Sequence, residues 1–104
     1  MRERNPNLKI IIVDDSEFSR RSVVEILEKE GFNVVGQADS AEKALQLFHT
    51  TSNVNLFIID IIMPEISGID LAKKIQEKSL DIKMIMMSCS LIAIQAFLCL
   101  HRLP

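Results

Sequence analysis

No segment of this 104-residue chain is apolar over the roughly twenty residues needed to span a bilayer. The longest apolar run, LIAIQAFLCL from Leu91 to Leu100, is about half that length. The N-terminus, MRERNPNL, lacks the apolar core of an export signal, and the expected location is cytoplasmic. There is no basic cluster, and the net charge is −2. Both features argue against nucleic acid or an anionic membrane as the main partner. Cysteine is scarce: Cys89 and Cys99 form no Cys-x-x-Cys pair and read as free thiols of a reducing compartment. His49 and His101 are the only histidines, and both are expected at the surface without a ligand role. Internal repeats, low-complexity tracts and linkers are also missing. What remains is 48% apolar and 25% charged, the composition of one ordinary globular domain.

Strand and helix signals alternate along the chain. LKIIIV (Leu8 to Val13) and LFII (Leu56 to Ile59) are short, β-branched and continuously apolar, as strands buried on both faces must be. NVVGQA is more polar and reads as an edge strand, and IKMIMM (Ile82 to Met87) as a fourth strand whose methionines serve packing. Between them, Ser16 can cap a first helix with Phe18, Val24 and Leu27 on one stripe. Gly31 suits the left-handed residue after its end. A second helix is expected from Asp39, with Glu42 completing a capping box, and carries Ala41, Ala44, Leu45 and Phe48. A third opens at Ser67 or Gly68 and carries Leu71, Ala72 and Ile75. Such alternation predicts an α/β fold, a parallel sheet covered by helices on both sides with right-handed crossovers.

The polar residues at the strand ends need a separate explanation. In IIDIIMPEISG a buried strand delivers a carboxylate, Asp60, which is costly unless something pairs with it. Asp14-Asp15 follow the first strand, and Ser88 follows the fourth. In a doubly wound sheet, function gathers beyond the carboxyl ends of the strands. If the first and third strands are neighbours, three carboxylates share one small space and repel one another. A hard dication removes that conflict, and Mg²⁺ commonly binds one or two carboxylates together with a phosphate. An aspartate can also be a nucleophile, giving an aspartyl phosphate, with a hydroxyl such as that of Ser88 donating to a phosphoryl oxygen. Each residue alone has a plainer reading. Asp14-Asp15 can simply favour a helix N-terminus, Ser88 can be a turn residue, and Asp60 can form an Asx-turn.

The acids after IIIV, the D-x-x-M-P-x-x-x-G pattern of Asp60, Met63, Pro64 and Gly68, and the hydroxyl of Ser88 together resemble a known family. It is the receiver domains of bacterial two-component response regulators, and DDSEFSRRSVVEIL and GIDLAKKI are most similar to chemotaxis-type, single-domain members. The resemblance covers roughly Lys9 to Ser88. It implies a flavodoxin-like, doubly wound sheet of order 2-1-3-4, the order that flavodoxin shares with chemotaxis receivers. It also implies that Asp60 accepts a phosphoryl group from a histidine kinase or phosphotransfer protein, or slowly from a small phosphodonor. Mg²⁺ would be held by Asp14, Asp15, Asp60 and the backbone carbonyl of Ile62, and Ser88 would relay the phosphoryl group to the surface. Pro64 and Gly68 would shape the loop after Asp60.

The chain departs from the family toward its C-terminus. The family carries a lysine on a fifth strand about twenty residues past the Ser88 position, whereas the last lysine here is Lys83 and the sequence ends at Pro104. The expected domain is therefore a receiver lacking the fifth strand and last helix, with residues 1–7 a flexible tail and 89–104 divergent. The apolar tail and the open edge of the fourth strand would favour self-association. Two further readings stand beside phosphoacceptance. One is a degenerate receiver that acts through protein contact without phosphorylation, and the absent lysine favours it. The other is a metal-dependent phosphohydrolase. Such enzymes often carry an acid two residues after the nucleophile, a position held here by Ile62.

Overall fold

The computed structural model describes residues 8–61, 63, 66–79 and 81–87. Ile62, Pro64, Ser88, His101, both cysteines and the tail at 89–104 lie outside the described residues, and so do the expectations placed on them. The chain order is β1 (Lys9–Val13), α1 (Glu17–Lys29), β2 (Asn33–Ala38), α2 (Ala41–Thr50), β3 (Leu56–Asp60), α3 (Gly68–Lys78) and β4 (Lys83–Met87). The four strands form a parallel sheet of order β2-β1-β3-β4, as expected.

The two continuously apolar segments occupy the centre of this sheet. Four of the five residues in β1 and in β3 are buried, whereas β2 at the edge has one. Because side chains alternate across a strand, β1 feeds two cores at once. Ile10 and Ile12 join Val23, Val24 and Leu27 of α1 on one face. Ile11 and Val13 join Ala41 and Ala44 of α2 with Leu71 and Ile75 of α3 on the other. Phe48 of α2 meets Phe57 of β3 edge to face at 6.0 Å between ring centroids, a favoured aromatic geometry. Helices thus cover both faces, and the sheet's C-terminal edge is left for loops. Among the described residues no helix is long and apolar enough to cross a membrane.

Each of the three helices among the described residues begins at a serine. Ser16, Ser40 and Ser67 each accept, through Oγ, a hydrogen bond from the backbone N–H three residues on, satisfying a donor that the first turn leaves open. The expected start of α2 at Asp39 is corrected by one residue. Ser40 is the extended cap residue and reaches Lys43 N at 3.2 Å, so the third position of the helix holds a lysine and no capping box with Glu42 forms. The end of α1 follows the expected course. Gly31 adopts φ 89°, its N–H donates to Glu28 O, and the N–H of Phe32 donates to Leu27 O, closing a Schellman turn.

The stripe on α1 also differs from expectation. Val24 and Leu27 are buried, but Phe18 is 79% exposed, and Val23 takes the core position. Phe18 stands nine residues before Leu27, which at about 3.6 residues per turn puts it on the opposite side of α1 from the buried face. Phe18→Ala should therefore change stability by no more than about 0.5 kcal/mol. Leu27→Ala should cost about 2–5 kcal/mol through the cavity it leaves. Chemical denaturation of both variants measures the contrast.

Candidate functional site: an acidic cluster at the strand ends

β1 ends where Asp14 leaves the sheet. The Asp14 N–H donates to Ala38 O at 3.0 Å, one step beyond the last β1–β2 register pair, Val13 and Ala38. The Asp14 carboxylate is buried, with the residue 1% exposed, and its Oδ1 accepts the Ser16 N–H at 2.9 Å. That bond forms an Asx-turn that leads directly into the Ser16 cap of α1. Asp15 is exposed at the same turn.

Asp60 is the last residue of β3, half-buried, and in register with Met87 of β4. Because β1 and β3 are adjacent and parallel, their C-terminal ends lie side by side. One carboxylate oxygen from each of Asp14, Asp15 and Asp60 falls within 4.8 Å of the other two. The three expected acids thus meet in one place, as the neighbouring of β1 and β3 requires. Ser88 directly follows Met87, the register partner of Asp60.

The segment after Asp60 folds back tightly. Ile61 N–H donates to Met87 O at 2.8 Å, and Gly68 N–H donates to Ile61 O at 2.9 Å. This brings the start of α3 against β3, so that a Cβ on Gly68 would overlap the Asp60 carbonyl oxygen. Gly68 is required here by close approach and not by an unusual dihedral angle. Met63 and Ile66 within this segment pack against the α2–α3 core.

Two features were missed by reading the sequence alone. Arg20 was not singled out, yet its Nη1 donates to the Asp14 backbone oxygen at 2.8 Å and its Nε to Gln37 Oε1 at 3.3 Å. Arg20 is six residues from Asp14, and only the fold of α1 against β1 shows the contact. Asn55, also missed, ties the opposite end of the sheet: its Oδ1 accepts Lys9 N–H at 2.7 Å and its carbonyl accepts Lys83 N–H at 3.0 Å. His49 is exposed in the last turn of α2, the end of that helix away from the β2–α2 junction.

The chemistry of this donor set suits a hard cation. Three carboxylates converge, one of them buried, and like charges this close are stabilised by a dication that takes oxygen ligands. The match to the response regulator receiver domain model runs over residues 10–97. This chain belongs to that family. The match continues past Ser88, where the resemblance read from motifs stopped. The chemotaxis protein CheY of Bacillus subtilis is 38% identical over 80 residues, covering 77% of this chain and 66% of that protein. A transcriptional regulator described as putative in Pseudomonas aeruginosa is 35% identical over 80 residues, covering 77% of this chain and 38% of that protein. The chain therefore spans from about two fifths to just under two thirds of the length of these relatives. Among solved structures, a chain of the complex between histidine kinase ThkA and response regulator TrrA is 33% identical. It superposes with a TM-score of 0.68, covering 83% of this receiver and 79% of that chain. The fold, the family and its place in two-component signalling thus agree.

Proposed function

We propose that this receiver takes a phosphoryl group on Asp60 and passes on its presence as a conformational signal. The observation that carries the reading is the convergence of Asp14, Asp15 and Asp60 within 4.8 Å at the ends of β1 and β3. Asp60 is the candidate nucleophile because it ends a buried strand and is itself only half-buried, where an incoming group can reach it. One carboxylate oxygen bonds to phosphorus as the bond from phosphorus to the donor breaks, giving an acyl phosphate and the freed donor. Asp14, fixed by the Ser16 N–H, and Asp15 would hold Mg²⁺ beside Asp60, together with the backbone carbonyl of Ile62. When bound, that ion offsets the repulsion between the carboxylate and the incoming phosphoryl group.

Ser88 would donate its hydroxyl to a phosphoryl oxygen, a role supported by its place next to the register partner of Asp60. The donor would be a histidine kinase or phosphotransfer protein, in keeping with the similarity to a chain of the complex between a histidine kinase and a response regulator. The chemistry is performed on the chain itself, so the protein is a signalling module and not an enzyme that turns over a separate substrate. Incubation with acetyl phosphate and Mg²⁺, followed by intact-mass measurement, tests the reading. The parent should gain one phosphoryl group and Asp60→Asn none. Equal labelling of the two would remove Asp60 from the role, and a parent that stays unlabelled would favour a receiver acting by contact alone.

A further inference from the structure

We infer that Arg20 is a positioning residue for the acidic site, acting through the backbone of Asp14; this rests on the metal-assisted reading above. The Asp14 carbonyl belongs to the peptide joining the two N-terminal acids, so its orientation sets where both carboxylates point. The Asp14 N–H is held by Ala38 O of β2 one step past the last β1–β2 register pair, and on the carbonyl side a further hold comes from Arg20. Its Nη1 donates to this carbonyl at 2.8 Å, while its Nε donates to Gln37 Oε1 near the end of β2 at 3.3 Å. A planar guanidinium with several fixed donors can bridge two such acceptors, which a lysine ammonium on a flexible stem does less well. Helix α1 supplies the rigidity, because Arg20 N–H is itself bonded to Ser16 O at 2.9 Å. The β1–α1 turn is thereby clamped from the Asp14 side chain by Ser16 N–H and from the Asp14 carbonyl by Arg20.

Charge alone and positioning predict opposite outcomes. A cation beside a metal site repels the metal, so if Arg20 acted only as a charge its removal would tighten Mg²⁺ binding. If Arg20 holds the turn, its removal loosens the ligands and weakens binding. Loss of a residue that orients metal ligands costs on the order of tenfold or more in affinity.

Isothermal titration with Mg²⁺ on the full chain, with a thermal melt of each variant, decides between them. Arg20→Ala should weaken Mg²⁺ about tenfold, with Arg20→Lys in between. Gln37→Ala, which removes only the second anchor, should weaken it by a smaller factor. Arg21→Ala serves as the charge control, since Arg21 faces outward and pairs with Glu17 at 3.8 Å on the exposed side. That variant should bind as the parent does. If Arg20→Ala fails to melt cooperatively, Arg20→Lys and Gln37→Ala carry the test. Unchanged or tighter binding in the folded Arg20 and Gln37 variants would overturn the role, as would an equal loss in Arg21→Ala. A parent that binds no Mg²⁺ would instead overturn the metal reading and this role with it.

Discussion

Gly68→Ala should destabilise the protein by about 1–3 kcal/mol or more, the cost of a side chain forced into a packed interior that cannot move aside. The added Cβ would overlap the Asp60 carbonyl oxygen and stand 2.9 Å from both the Asp60 carbonyl carbon and Ile59 Cγ2. None of these atoms can yield easily. Asp60 and Ile59 belong to β3, which is paired on both sides, and Gly68 N–H is bonded to Ile61 O. The relaxation that remains is for α3 to lift from the sheet, exposing Leu71 and Ile75, or for Asp60 to shift. The first lowers stability and the second disturbs the site, so weaker Mg²⁺ binding should accompany the loss. Urea denaturation gives the first quantity directly. A variant as stable as the parent would mean that α3 does not meet β3 this closely.

The second large effect is the dependence of stability on Mg²⁺. Asp14 is buried within a group of three carboxylates, so an ion bound there stabilises the folded state and has no comparable site in the unfolded chain. Linkage then gives about 2.7 kcal/mol of added stability at a Mg²⁺ concentration one hundred times the dissociation constant. Asp15→Asn removes one ligand charge while leaving the buried core intact, because Asp15 is exposed. Its melting temperature without Mg²⁺ should be close to that of the parent, and its gain on adding Mg²⁺ should be much smaller. Equal gains in the parent and in Asp15→Asn would remove Asp15 from the metal site.

The architecture was legible because the central strands carry an unambiguous signal. KIIIV and LFII are buried on both faces and admit few polar residues, while β2 is partly exposed and reads as an edge. The meeting of Asp14, Asp15 and Asp60 followed from strand adjacency alone, since parallel neighbours end together. Other features depend on tertiary placement. Asp39 and Ser40 are both good caps, and which one serves depends on backbone direction as the chain leaves β2. Arg20 resembles any other helical arginine until α1 is laid against β1 and Gln37 comes within reach. Gly68 stands in the family motif, yet the reason for it, a carbonyl of β3 where a Cβ would be, exists only in the folded chain.

The most direct test of the central claim is to locate the phosphoryl group on the chain. After reaction with acetyl phosphate and Mg²⁺, borohydride reduces an acyl phosphate to the corresponding alcohol, and peptide mass mapping finds the altered aspartate. The account predicts modification at Asp60 alone, dependent on Mg²⁺ and lost in Asp60→Asn. Modification at Asp14 or Asp15, or the absence of any modified aspartate under conditions where Mg²⁺ is bound, would contradict it.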